Sequence, residues 1–287
     1  MQELTNTRHN HLIDPVMHVW GWEIPLYLFL GGLVAGIMII TGIRVLRSRK
    51  DEPSVALSLL PWTAPVLISL GMFFLWLDLE DPFNAWRFYL TFKVTSPMSW
   101  GAWILVGVYP VSILLAWVLT PDTVLGSWKD RVEKWPLLGG LSGWARGNHR
   151  LLAVLNVIMG AALGIYTGVL LGTMAARPLW NSALLGPLFL VSGLSTGVAF
   201  MLLYRLTDQE RVLLGRADMG LISVELALLA LWMVGLASGG ASAQASLAAI
   251  LGGPYTAAFW TLVVVMGLVA PLAGEWMEYR HGMVPGK

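Results

Sequence analysis

With 56% hydrophobic and only 12% charged side chains over 287 residues, this chain departs from soluble domains, of which about a quarter is charged. The mean hydropathy of +0.69 defines an integral, all-α polytopic membrane protein. A net charge of +1 with neither a basic face nor a phosphate loop excludes a nucleic-acid role. The absence of cysteine excludes disulfides, thiolate-held iron–sulfur clusters and a cysteine nucleophile.

The N-terminal stretch MQELTNTRHNH lacks the basic region and cleavage site of a signal peptide, so the first apolar segment is expected to stay in the mature protein. Apolar runs of bilayer length, about 17 to 25 residues, then predict seven spans. They fall near 22–43, 55–76, 98–119, 151–174, 184–204, 218–237 and 256–277. Between the last two, GGASAQASLAAILGGPY (239–255) is uncharged and too short to cross, which predicts an interfacial or re-entrant piece. No hydrophilic stretch is long enough for a second folded unit, so one membrane domain covers 1–287. Tryptophans near the span ends, at Trp20, Trp22, Trp62, Trp76, Trp117, Trp180 and Trp276, read as an interfacial belt.

Positive charge is lopsided. The segments 44–53, 120–150, 205–216 and the C-terminal tail hold 14 of the 18 Lys and Arg, and the other side holds Arg8, Arg87, Lys93 and Arg177. By the positive-inside rule the N-terminus is outside and the C-terminus cytoplasmic, in a cell (inner) membrane. The five histidines, at 9, 11, 18, 149 and 281, lie at the ends of apolar runs or beyond them. No haem held by a histidine pair and no metal site is therefore expected.

Ionisable and phenolic groups at membrane depth are costly and are functional candidates for that reason. Glu23 and Tyr27 open the first span, four apart and on one helix face. Asp78 ends the second span on the same side, within LDLEDPFNAW (77–86), which puts three carboxylates into four positions. Tyr166 stands sixteen residues beyond Arg150, about 24 Å along the fourth span, also on the outer side. A carboxylate and phenols within an apolar, tryptophan-rich wall suit a small amphipathic ligand such as a quinone. The same residues also read as ordinary buried or interfacial tyrosines and headgroup-level charges.

A second set lies towards the inner side: Arg205 ending the fifth span, Asp218 and Glu225 seven apart in the sixth, and Glu275 in the seventh. These predict a polar track from the cytoplasm, or structural pairing of the acids with Arg205 or Arg216. Asn156, in the fourth span, is left as a cap or a holder of water.

Four stretches, in order, resemble the membrane subunit family of polysulfide reductase and formate-dependent nitrite reductase, the NrfD/PsrC family. They are WGWEIPLYLFLGGLVAG (20–36), LDLEDPFNAW with SPMSWGAW (96–103), YTGVLLGTMAARPLW (166–180) and LFLVSGLSTGVA (188–199). The resemblance implies a membrane anchor that binds menaquinone or ubiquinone and holds no redox cofactor of its own. It also implies partners on the outer face: a four-cluster ferredoxin-like iron–sulfur subunit and a molybdopterin or multihaem cytochrome catalytic subunit.

Within the chain, the resemblance implies a quinone-binding helical bundle over 1–180 and a second bundle with a proton path over 181–287. Tyr166, in its YTG context, and Tyr27 would bind the quinone, with Asp78 and Glu23 as proton acceptors. Ser96 and Ser99 of the SPMSWG turn are expected to bond at the start of the third span. The family usually has eight helices; this chain shows seven, ending EYRHGMVPGK. Rival readings are a proton or ion translocator using Arg205, Glu225 and Glu275, and a purely structural anchor. A seven-helix receptor is a weaker rival, because no span carries a retinal-type lysine.

Overall fold

The computed structural model describes residues 21–47, 55–174 and 177–281, and every described element is helical. In chain order these are α1 (Glu23–Arg47), α2 (Val55–Leu59), a 3-10 turn (Leu60–Trp62), α3 (Thr63–Leu77), a 3-10 segment (Pro82–Tyr89) and α4 (Pro97–Leu119). There follow α5 (Asp122–Glu133), α6 (Pro136–Gly147), α7 (His149–Gly172), α8 (Leu185–Leu202), α9 (Asp208–Ala237) and α10 (Ala241–Leu251). The last span is built from α11 (Thr256–Ala258), a π-helical stretch (Phe259–Val269) and α12 (Ala270–His281). Trp20, Arg8 and the three N-terminal histidines lie outside the described residues.

Seven of these segments are long and apolar enough to cross a bilayer: Glu23–Arg47, Leu57–Leu77, Pro97–Leu119, His149–Gly172, Leu185–Leu202, Asp208–Ala237 and Thr256–Arg280. They match the seven expected spans, with one large shift at a boundary. The sixth begins at Asp208 rather than near 218, because Thr207 and Glu210 form a reciprocal capping box that starts the helix in polar sequence. Thirty residues at about 1.5 Å each exceed the hydrocarbon thickness, so the charged first turns of α9 extend past the apolar layer.

The central helix is α1, which packs against α3, α7 and α8. Of its most apolar window 67% is buried inside the protein, against 11% for the last span, whose side chains are left to lipid. Its sequence favours this place: Glu23 lies in the first turn and Arg44 and Arg47 in the last, each complementing the helix dipole. Two Gly-x-x-x-Gly pairs, Gly32/Gly36 on α1 and Gly193/Gly197 on α8, meet face to face. A Cβ on Gly193 would lie 2.6 Å from the Gly32 carbonyl oxygen, and one on Gly197 would lie 2.8 Å from Gly36 Cα. Only glycine allows these backbones to touch, the usual device for close helix association in lipid.

Buried apolar side chains gather in two main clusters. One, including Val34, Ile37, Ile68, Val108, Leu163 and Met201, surrounds α1. The other, including Ile222, Trp232, Ile250 and Leu268, joins α9, α10 and the last span. α10, only 11 residues long, runs within the uncharged 239–255 segment and packs on α9.

The positively charged 120–150 connection is largely helical and internally bonded. Trp117 Nε1 donates to Ser142 Oγ (3.0 Å), Ser142 donates to Glu133, and Arg146 pairs with Glu133. Trp62 Nε1 donates to Thr120 Oγ1 at 2.7 Å. Trp62 and Trp117 are therefore tied to protein, while Trp22 and Trp276 stay exposed as an interfacial belt requires.

The buried Lys129 ammonium donates to Asp122 (2.8 Å) and to the Thr120 carbonyl. Its hydrogen bond and charge hold the exposed Asp122 carboxyl below the usual carboxylate range. A carboxylate whose folded pKa is depressed stabilises above its unfolded value, about 3.9, and loses that stabilisation as pH falls through the folded value. Asp122→Asn is therefore expected to lower the thermal midpoint in detergent at neutral pH, and the two midpoints to converge in acid. A difference that persists unchanged in acid would contradict the pairing.

Candidate functional site

Tyr27 is buried one turn inside the start of α1, and its phenol lies 2.6 Å from that of Tyr166 on α7, 139 residues away in sequence. Two neighbouring glycines fit this pair. A Cβ at Gly71 of α3 would lie 3.5 Å from the Tyr27 ring. A Cβ at Gly101 of α4 would run into the Tyr166 ring and lie 2.8 Å from its oxygen. The glycine of SPMSWGAW is thus the seat of Tyr166, and no larger residue fits without moving the phenol.

Tyr166 also forms part of the wall of a groove of about 350 Å³ between the start of α4 and the second half of α7. The rest of that wall is mostly apolar, including Trp100, Ile104, Ile165 and Val169. Since Tyr27 sits buried behind Tyr166, the natural arrangement has Tyr27 donating to the Tyr166 oxygen. The Tyr166 hydrogen is then left for an acceptor in the groove. A larger depression, about 720 Å³, follows α10 and the turn to Pro254. Its one polar side chain, Gln244, is already bonded to the carbonyls of Ala237 and Gly239, so it offers little chemistry.

The two carboxylates predicted for this site lie at its end of the bundle but do not touch the phenols. Glu23 is one turn, about 6 Å, beyond Tyr27, and Asp78, ending α3, is about 10 Å beyond Gly71 in the same direction. Both are partly buried, and among the described residues neither forms an ion pair. Asp78 is not held by Arg87 or Lys93; Arg87 instead lies over the Trp86 ring at 5.8 Å.

One further phenol was missed by sequence reading. Tyr89, closing the 3-10 segment that follows LDLED, comes within electrostatic reach of Tyr27, Tyr166 and Tyr109. Burial pushes the Tyr89 phenol above its ordinary range, and the Tyr109 phenol adds to this. In a linear reading Tyr89 belongs to a loop, and only the fold-back of residues 82–95 brings it to the site. That fold-back is fastened by Trp76 Nε1 to the Pro82 carbonyl (3.1 Å) and Trp100 Nε1 to the Val94 carbonyl (2.7 Å). Ser99 Oγ accepts from Lys93 N at 3.0 Å. Ser96 occupies the N-cap position of α4, with Pro97 at the favoured first helical position, but makes no side-chain cap bond, contrary to expectation.

The inner set is brought together in part. Asp218 is 2% exposed, accepts from Ser195 Oγ at 2.7 Å and faces Glu275 of the last span. Glu225, two turns along α9, faces Ser192 of α8. The expected arginine pairing is absent among the described residues. Arg216 lies over the Tyr279 ring at 5.0 Å, and Arg205 is exposed in the connection between α8 and α9. Asn156 bonds the Met38 carbonyl at 2.7 Å and thereby ties α7 to α1.

This seven-span helical architecture, with paired phenols beside a mostly apolar groove, defines a polytopic membrane protein. The sequence model of the family described as "Polysulphide reductase, NrfD" matches residues 6–282, and the chain belongs to that family. It is 32% identical over 274 residues to the C subunit of polysulfide reductase from Wolinella succinogenes, covering 88% of this sequence and 82% of that one. To protein NrfD of Escherichia coli it is 30% identical over 278 residues, covering 92% and 87%. To the NrfD homolog of Haemophilus influenzae it is 28% identical over 267 residues, covering 88% and 82%.

Proposed function

We propose that this chain is the quinone-exchanging membrane subunit of a multi-subunit respiratory oxidoreductase, passing electrons between the quinone pool and an extracytoplasmic iron–sulfur subunit. The observation that carries this reading is the Tyr27–Tyr166 phenol pair beside an apolar groove. A quinone is planar and lipid-soluble, and its oxygens need a hydrogen-bond donor that does not itself ionise at neutral pH. A phenol, with an ordinary pKa near 10, is such a donor.

Oxidation of a quinol releases two electrons and two protons. The electrons leave for the iron–sulfur subunit, since this chain has no cysteine to hold a cluster. The protons pass to acceptors at the Glu23 end of the bundle, where Asp78 and Glu23 stand. Tyr166 orients the head group, and Tyr27 fixes the Tyr166 hydrogen towards it. Tyr27→Phe should leave assembly unchanged and lower quinol-linked turnover by about fivefold to tenfold, the worth of one hydrogen bond. Unchanged turnover would show that the orienting bond has no role.

The charge asymmetry supports an N-terminus outside and a C-terminus in the cytoplasm. The phenol site then faces the outer side, where the iron–sulfur subunit and a molybdopterin or multihaem catalytic subunit dock. The Pro82–Tyr89 segment, with Phe83, Trp86 and Phe88 exposed, supplies an apolar surface there. Gentle purification from native membranes tests this reading. An iron–sulfur protein and a quinone in near-stoichiometric amounts are expected; a lone chain without quinone, purified intact, would overturn it.

A second function is favoured by one specific observation, the buried Asp218 bonded to Ser195 and facing Glu275. Asp218, Glu225 and Glu275 form a proton track, with Arg205 at its cytoplasmic mouth. In reconstituted complex, Glu225→Gln should abolish proton movement while leaving quinone turnover intact. Proton movement at the parent rate would remove Glu225 from the track.

A further inference from the structure

The charged connection between α4 and α7 has an outward surface that the fold does not use. Its inner side is consumed: Ser142, Ala145 and Lys129 are buried, and the Trp117–Ser142–Glu133–Arg146 network locks α5 and α6 against the ends of two spans. On α6, Leu137, Leu141 and Trp144 recur at the four- and three-residue spacing of one helix face and are 89%, 44% and 47% exposed. Trp128 of α5 and Trp135 between the two helices are also exposed, at 66% and 69%. The same connection carries Arg131 and Lys134, with Arg150 at the start of α7, all exposed and in no ion pair among the described residues. The acids Asp122 and Glu133 are taken up by Lys129 and Arg146, which leaves Asp130 as the one acid of the connection outside those pairs.

We propose that α5 and α6 form an interfacial platform that lies on the anionic lipid leaflet, with Leu137, Leu141 and Trp144 entering the headgroup boundary and Arg131, Lys134 and Arg150 binding acidic phospholipid headgroups. Membrane spans end at Leu119 and begin again at His149, so the platform is held at headgroup level at both ends. Its pattern of a Trp/Leu face beside basic side chains is that of helices lying in the membrane plane. The unpaired cations are complementary to an acidic leaflet, and the positive-inside distribution puts them on the cytoplasmic side, where acidic lipid is met. The platform does not depend on the quinone reading. It would fix the α4 and α7 ends, and with them the register of Gly101 against Tyr166.

The absence of cysteine makes single labels straightforward. In the full-length protein, Leu137→Cys, Leu141→Cys and Gly143→Cys would each carry a nitroxide. Gly143 has open space at its Cβ and lies about 200° from Leu141 around the helix. In vesicles containing phosphatidylglycerol, the labels at 137 and 141 are expected to be accessible to oxygen and protected from a water-soluble nickel chelate. The label at 143 is expected to show the reverse. Changing Arg131, Lys134 and Arg150 to Gln should reduce the preference for phosphatidylglycerol over phosphatidylcholine, read by spin-labelled lipids, by about fivefold per charge.

Two results would overturn the platform. One is equal access of the nickel chelate to all three labels in vesicles of either composition. The other is protection of 137 and 141 in native membranes but not in lipid alone, which would assign the face to a protein partner.

Discussion

Tyr166→Phe is expected to lower quinol-linked turnover of the assembled complex by about tenfold to a hundredfold, with partner subunits still attached. The substitution keeps the ring that packs over Gly101 and removes only the hydroxyl that bonds Tyr27 at 2.6 Å, on a residue that lines the groove. The expected loss, about 1.4 to 2.7 kcal/mol, is that of a hydrogen-bond donor aimed at a developing charge in a low-dielectric site. Gly101→Ala should produce a loss of similar size by another route, because its methyl group would collide with the Tyr166 ring and push the phenol away from Tyr27. Unchanged turnover in both variants would take Tyr166 out of the site.

The second large effect is structural. Gly193→Leu should prevent recovery of a folded, monodisperse protein, since any Cβ there lies 2.6 Å from the Gly32 carbonyl oxygen and 3.1 Å from Gly32 Cα. Both obstacles are backbone, so no side chain can yield and α1 must separate from α8. Overpacking of a close-fitting contact typically costs about 1 to 3 kcal/mol and occasionally more, and a clash with backbone on the facing helix stands at the upper end. Gly235→Leu on α9, an exposed position where an added Cβ meets open space, serves as the control and should behave like the parent. Equal yield and thermal midpoint for both variants would contradict the close crossing.

The architecture was legible in the sequence because lipid imposes a single strong rule, a long apolar helix for every crossing. All seven spans follow from it. The start of α9 was not legible, because Asp208, Gln209, Glu210, Arg211 and Arg216 break up the apolar pattern ahead of its long apolar run, and the capping box at Thr207 and Glu210 starts the helix before them. Helices α5 and α6 were hidden for a related reason. Their periodicity serves a surface rather than a span, and a window tuned to bilayer length passes over them.

At the site, Tyr27 and Tyr166 could be singled out by depth along their helices, but their contact could not, because it depends on how α1 and α7 cross. Tyr89 was invisible because a loop residue has no depth until the chain folds back. Gly32, Gly36, Gly193 and Gly197 carried a readable spacing; which helix each pair meets is a property of the packed bundle alone.

The most direct test is to label the purified complex with a photoreactive quinone and map the modified peptides. Modification within residues 94–104 and 162–169, lost when excess natural quinone competes, is the predicted result. Competed modification confined to α10 or the last span, with the α4–α7 groove untouched, would contradict a quinone site at Tyr166.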